Sequence, residues 1–345
     1  MIRKHQKLLN SLTYSFSPEL IAQKPVSPRD SSRLLVYNRK KNTIDLDKFH
    51  NIANYLPSGA VLVFNETKVI PARLELKKET GGRVRVLFVT REKGLLKFIS
   101  DRKIQPGAVL NLNKAISFKS VRKSEKFYFL KPSFPISKIF TILEQYGQTP
   151  IPPYIKNSPL NEKELKEKYQ SVFAKSRGSV AAPTASLHFT KQLIKKLKTA
   201  GISIKFITLH VSLGTFAPLT EENLKTSKLH AEFYSINKKA ADFLNRAKKE
   251  KRPIIAVGTT SLRALESAAQ NGVLKKLSGQ TDIFIREGYR FKFTDKLITN
   301  FHVPGSSLLM LVAAIVGRRK ILSIYQKAIA KKFRFFSFGD GMLIY

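Results

Sequence analysis

Three histidines stand in segments built alike. His188 lies in GSVAAPTASLHFT (178–190), His210 in TLHVSLGTF (208–216) and His302 in TNFHVP (299–304), each a lone ring among small, hydroxyl or turn-forming residues. Histidine is the side chain whose ordinary pKa lies near neutrality, so three in matching contexts point to acid or base work by at least one of them. A single such ring is as readily a hydrogen-bonded structural residue. A fourth segment, VGTTSLRALES (257–267), offers Gly-Thr-Thr-Ser with Arg263 one turn further on. At a helix start, free N–H groups, the hydroxyls of Thr259 and Thr260 and the helix dipole suit a carboxylate or a phosphate; ordinary capping explains the same residues equally well. Asp340, between two glycines in RFFSFGDGMLIY (334–345), can orient a ligand hydroxyl or a histidine, or shape a turn. His230 is a weaker candidate, and His5 and His50 read as surface residues.

Several chemistries are excluded. The chain has no Cys, which removes disulfide scaffolds, Cys-ligated zinc and iron–sulfur clusters. The metalloprotease HExxH, the phosphate-binding P-loop, the dinucleotide G-x-G-x-x-G and the hydrolase G-x-S-x-G patterns are all missing from the sequence, so no metal is expected and a nucleoside ligand must be held by other means. Charge is the loudest bulk property: 62 Lys and Arg against 24 Asp and Glu give +38. A polyanion is the natural partner, although a compositional taste for Lys accounts for part of the excess. The N-terminal stretch lacks an apolar core of signal-peptide length, and the longest apolar run, 308–316, falls far short of a membrane span. A soluble cytoplasmic protein is expected.

The elements that must position these groups fall into two textures. Between about Ile70 and Leu130, short alternating runs separated by Gly and Pro turns predict about five or six strands in a small antiparallel barrel or sandwich. Elsewhere strands and helices alternate, as in an α/β domain. Strands are expected at 34–37, 60–65, 202–211, 254–257, 283–285 and 297–301. Expected helices are 47–56 with Asp45 or Asp47 as cap, 136–146, 162–169, 191–199 capped by Thr190, one from Asn237 to Glu250, 261–271 capped by Thr259 or Thr260, one opened by Ser306, and 321–332. The turn-rich GQTPIPPYIK from Gly147 marks a junction.

The segments RDSSRLLV, VLVFNETKVIPARL, PIPPYI, GSVAAPTASLHFT, TLHVSLGTF, VGTTSLRALES, TNFHVPGSSLLMLVAA and FSFGDGMLI together resemble the S-adenosylmethionine:tRNA ribosyltransferase-isomerase family of queuosine biosynthesis. They occur in the family's order over nearly the whole chain, least clearly between about Arg73 and Leu130. The resemblance implies a large mixed-sheet α/β domain (1–65 and 150–345) with a small antiparallel β-barrel inserted at 66–149. It implies transfer and isomerisation of the ribosyl part of S-adenosylmethionine onto the 7-aminomethyl-7-deazaguanine at the tRNA wobble position. The product is epoxyqueuosine, with adenine and methionine released. A monomer without a metal, with S-adenosylmethionine as co-substrate and tRNA as partner, is implied as well. Within the matching motifs, the expected roles are His188 or His210 as base, with His302 a further catalytic candidate; Thr259, Thr260 and Arg263 on the methionine carboxylate; Asn300, His302 and Asp340 on ribose or adenine, with Thr184 also binding the co-substrate; and Arg29, Arg33 and Arg73 positioning RNA or substrate. Ser186, Ser212 and Leu213 depart from the family's more Gly-rich pattern. Two other readings compete, a non-catalytic basic RNA-binding protein and a hydrolase acting without tRNA.

Overall fold

The structure, a computed structural model, describes residues 12–212 and 219–345. Its large part is built on a nine-stranded mixed sheet in the order 278–283, 228–235, 203–209, 61–65, 254–257, 296–300, 341–344, 33–38, 43–48. Four neighbours, 203–209, 61–65, 254–257 and 296–300, run parallel. Two of them suit the middle by their apolar runs, because a strand covered on both faces needs no polar alternation: Val61–Asn65 and Ile254–Val257 are buried throughout. Alternate residues divide between two cores. Leu35, Val63, Ala256 and Leu297 face the helices 238–249, 259–268, 307–316 and 318–330. Leu34, Leu62, Ile255 and Ile298 face the helix 191–199 and the short turn 49–55. The polar strand TIDLDK (43–48) closes one edge with charge, which discourages pairing with another chain.

The second texture is a closed six-stranded antiparallel barrel, with strands 73–78, 83–92, 95–100, 109–111, 117–124 and 127–132. Its core takes every second residue of these strands, among them Leu74, Leu76, Val84, Val86, Phe98 and Phe118. Ile139 and Leu143 of the helix 139–146 pack on it. The chain passes to the barrel through the strand 67–69, which pairs with 176–179, and Arg73 bridges Gln148 on the way back.

Four expected elements differ. The helix expected over 47–56 is a strand, 43–48, followed by a 3-10 helix, Phe49–Tyr55, whose buried residues Phe49 and Ile52 are three apart, the period of that tighter turn. Asp47 accepts bonds from Asn51 and Tyr55 instead of capping an α-helix. The helix expected at 261–271 begins at Thr259, behind Gly258 at φ 88°, and ends at Ala268. Asn271 and Gly272, both at positive φ, then turn a miniature hairpin between 269–270 and 273–274. The strand expected at 283–285 occupies 278–283, and the last helix starts earlier, at Arg318, directly after Gly317. The caps at Thr190, Asn237 and Ser306 form as expected, each accepting an N–H of the first helical turn.

Candidate active site

The four parallel strands end their carboxyl termini on one side of the sheet, and a cavity of about 370 Å³ opens there. Position and size are those of a small-molecule site in an open α/β sheet. Each wall follows from a strand end. After the strand 254–257 come Gly258, Thr259 and Thr260; after 296–300 come Asn300, Phe301 and His302; Val211 follows 203–209. The 3-10 turn 184–188 brings Thr184 and Ala185 to the rim, and Tyr154, Phe336 and Ser337 close the far side.

Gly258 lets the chain enter the helix 259–268 with no side-chain cap, which leaves the first-turn N–H groups open and both threonine side chains in the cavity wall. The Thr260 Oγ1 is buried and has no partner. Asn300 donates its Nδ2 to the Phe336 carbonyl at 3.0 Å, while its Oδ1 is buried and unpartnered. A buried polar atom without a partner is costly, so one acceptor and one hydroxyl in the same cavity mark it as made for a polar ligand. Phe336 sits at φ 69°, a conformation that L residues avoid, and its ring lies 4.8 Å from that of Tyr154. The Tyr154 hydroxyl bonds Ser337 at 2.7 Å. Strain of this kind persists where the surroundings hold it, here through Asn300.

The three histidines separate. His302 lies in the cavity wall, its Nε2 2.8 Å from Thr299 Oγ1 and its backbone N–H donated to Tyr325. Burial pushes its pKa down to about 3, so the ring is neutral. His188 stands behind that wall, stacked on Phe49 with centroids 4.6 Å apart, its Nδ1 2.8 Å from Ser32 Oγ. Burial first, then the charge of Arg334, push it to about 3, against an opposing contribution from Asn300. His210 occupies a different place, a cleft of about 600 Å³ at the seam between the large part and the barrel. Its Nδ1 is 2.8 Å from Thr67 Oγ1, its pKa is lowered by burial, and its ring covers Gly178, where a Cβ would come 3.0 Å from it. The cleft is lined by Arg91, Lys97, Lys126 and Arg177, together with Phe127 and Phe233, and it shares Val211 with the cavity.

The remaining expected residues are structural neighbours of these spaces. Thr184 lines the cavity. Arg263 is turned inward to a buried ion pair with Glu232, leaving its Nε and Nη2 unpartnered. Glu232 also accepts the Ser212 N–H at 2.8 Å. Asp340 lies below the cavity, accepting the N–H groups of Arg33 and Arg334 at 3.0 and 2.8 Å. Glycine is required beside it, since a Cβ at Gly339 would meet the Arg334 carbonyl at 2.4 Å. Arg29 donates to the carbonyls of Gln170 and Glu167, Arg33 to that of Lys331 while stacking on Phe333, and Arg73 to that of Ile151. Ser186 is fully buried with an unpartnered hydroxyl; Leu213 and His5 lie outside the described residues. Sequence reasoning passed over Glu232 as a partner for Arg263, and it passed over Tyr154 and Phe336. PIPPYI and RFFSF carried the last two as aromatic residues beside Pro or Gly. Among the described residues no group of three or more His, Asp or Glu is arranged to hold a metal ion, and no helix is long and apolar enough to cross a membrane.

A family model described as queuosine biosynthesis protein matches residues 9–344. A Carboxydothermus hydrogenoformans protein named S-adenosylmethionine:tRNA ribosyltransferase-isomerase is 45% identical, the match covering 97% of this chain and 99% of that one. A protein of the same name from Clostridioides difficile is 44% identical over 96% of this chain and 98% of its own. Among solved structures, the crystal structure of S-adenosylmethionine tRNA ribosyltransferase from Thermotoga maritima matches with a TM-score of 0.57 and 33% identity, covering 97% of this chain and all of that one.

Proposed function

This chain belongs to the queuosine biosynthesis protein family, and we propose from that premise that it transfers and isomerises the ribosyl part of S-adenosylmethionine onto the 7-aminomethyl-7-deazaguanine of tRNA, releasing adenine and methionine. The observation that carries the reading onto the geometry is the pairing of two spaces. One is a closed-in cavity with an unpartnered hydroxyl and an unpartnered amide oxygen; the other is a basic, aromatic seam cleft, and they share Val211.

The cavity's residues fit the co-substrate. The helix start at Thr259 and Thr260 suits its carboxylate, Asn300 Oδ1 accepts from a hydroxyl or an amine, and the rings of Tyr154 and Phe336 offer faces to a cationic or heteroaromatic group. Arg263, neutralised by Glu232, ties the helix 259–268 to the strand 228–235 instead of touching the ligand. Asp340 acts by holding the turn that carries Phe336 and Ser337. The cleft, with cations and aromatic faces interleaved, suits a nucleotide approaching from RNA.

A sulfonium acidifies the adjacent ribose methylene, and an imidazole that takes its proton must be uncharged. His302 in the cavity wall is neutral, and burial biases His210 the same way at the junction with the cleft. His210 is the base in this reading, with Thr67 holding its tautomer. His188 is sealed by Phe49 and Ser32, and Asn300, which alone favours its charged form, stands beside it, so His188 acts as a positioning residue for Asn300 in this reading. Because such a proton is a weak acid towards imidazole, most of the rate must come from preorganised groups around the developing charge. A monomeric, metal-independent, cytoplasmic enzyme with its barrel inserted at 66–149 completes the reading; the separate barrel core supports that division.

The test is free adenine measured from S-adenosylmethionine with and without tRNA carrying the 7-deazaguanine precursor. Release only with that tRNA is expected, reduced about 100-fold or more in His210→Ala, in the range of general-base contributions. Binding without release leaves a non-catalytic RNA-binding protein, and release without tRNA leaves a hydrolase.

A further inference from the structure

On the opposite side of the sheet from the reaction cavity, at the amino ends of the strands 254–257 and 296–300, lies an open cleft of about 820 Å³. One strand length, roughly 13 Å, separates the two. Six cations line it, Arg39, Lys40, Lys248, Lys251, Arg252 and Lys296, with Asp295 as the acidic side chain in the wall. Lys248 neutralises Asp295 at 2.6 Å, and Arg252 is engaged by the Gly59 carbonyl, Ser203 and Glu250. Among the described residues the side chains of Arg39, Lys40 and Lys251 have no hydrogen-bond or ion-pair partner, and Lys296 rests over the ring of Tyr345. Burial, and then Lys40, depress the ammonium of Lys296 in spite of Asp295. The cleft therefore repels itself as it stands.

A second observation is independent of charge. Lys251 follows the helix 238–249 at φ 57°, the left-handed position that helix ends ordinarily give to Gly or Asn. The same conformation recurs at Lys332 after the helix 318–330; at Lys251 it places a cation in the wall of the cleft.

We infer that this cleft binds the phosphodiester backbone of the RNA substrate, away from the reacting nucleotide. An extended polyanion fits better than a small anion for two reasons. The unneutralised cations come from three separate segments, residues 39–40, 251 and 296, strung along an open groove. Among the described residues no buried, unpartnered donor lines it, as a small-ion pocket would require. Phosphate contacts of this kind fix position and supply affinity without reading sequence.

The inference rests on the tRNA-modifying reading, and the test keeps the two apart. Binding of full-length tRNA is measured against KCl concentration for the wild type, for Arg39→Glu with Lys40→Glu, and for Lys251→Gly. The double variant is expected to flatten the slope of log K against log salt by about 2 and to weaken binding about 10-fold near physiological salt, with adenine release at saturating tRNA unchanged. Lys251→Gly is expected to raise Tm by roughly a few degrees while weakening tRNA binding about 3-fold, a combination that a merely structural lysine cannot give. Unchanged salt slopes in an active enzyme overturn the inference. So does loss of pyrophosphate binding, followed by calorimetry, with tRNA binding intact, because the cleft is then a site for a free anion. A wild type that releases no adenine overturns the functional reading instead.

Discussion

Removing the carboxylate of Glu232 should harm this protein more than removing the whole ion pair of which it is part. Glu232 and Arg263 expose only 2% and 5% of their side-chain surface and join the strand 228–235 to the helix 259–268 that lines the cavity. In Glu232→Ala the guanidinium keeps its charge but loses its counter-charge, with its Nε and Nη2 already unpartnered. Breaking such a pair costs about 3–5 kcal/mol. The Ser212 N–H loses its acceptor in the same stroke, adding about 1 kcal/mol or more. The sum is a large part of the about 5–15 kcal/mol that holds a domain together. Glu232→Leu with Arg263→Met removes both charges and fills similar volume, and buried pairs replaced in this way are about neutral or gain about 1–4 kcal/mol. Urea unfolding of wild type, Glu232→Leu, Arg263→Met and the double variant gives the coupling energy directly. A coupling of about 3 kcal/mol is expected, with the double variant recovering stability. A double variant no more stable than Glu232→Leu refutes the reasoning.

Three further outcomes follow from the site. Thr260→Val should leave stability equal or improved, because it deletes an unpartnered buried hydroxyl, while raising KM for S-adenosylmethionine about 3–10-fold; a loss of stability without a KM effect contradicts the assignment. Gly178→Ala places a methyl group 3.0 Å from the His210 ring at a backbone position of φ 147°. It should cost about 1–3 kcal/mol and slow adenine release, as read by unfolding and turnover side by side. The third outcome concerns pH. His188 and His302 have pKa values pushed down to about 3 in the fold, so the unfolded chain binds protons first. Their contribution is fully present above about pH 6.5 and is lost as pH falls towards 3, by about 2 kcal/mol per histidine between pH 7 and 5. Urea midpoints across that range should fall accordingly, with about half the slope in His302→Gln, and a flat profile excludes two buried neutral rings.

Much of this architecture was legible because local physics decided it. The barrel announced itself through alternating residues between Gly turns, and Thr190, Asn237 and Ser306 through their place before apolar periodicity. Thr259 and Thr260 were read as caps because hydroxyls usually serve there; Gly258, at positive φ, took the capping position and released both side chains to the cavity. The histidines show the limit of context. His188 and His302 have equally ordinary neighbours, yet one is sealed behind Phe49 and the other lines the cavity, a difference set by which strand end each follows. Arg263 could not disclose its partner, 31 residues away on another element. The strain at Phe336 leaves no trace in residue type, since nothing about an aromatic side chain signals positive φ.

The strand 341–344 lies between 296–300 and 33–38, inside the sheet and third from its rim. Synthesis proceeds from the N-terminus, so the barrel is complete in sequence some two hundred residues before this strand leaves the ribosome. Until it does, the hairpin 33–48 has no sheet to join. The nascent chain is thus a finished barrel beside an open half-sheet. The sheet cannot close around the strand pair 33–48 until residues 341–344 are in place, so deleting that strand should yield a protein that is folded in part and inert.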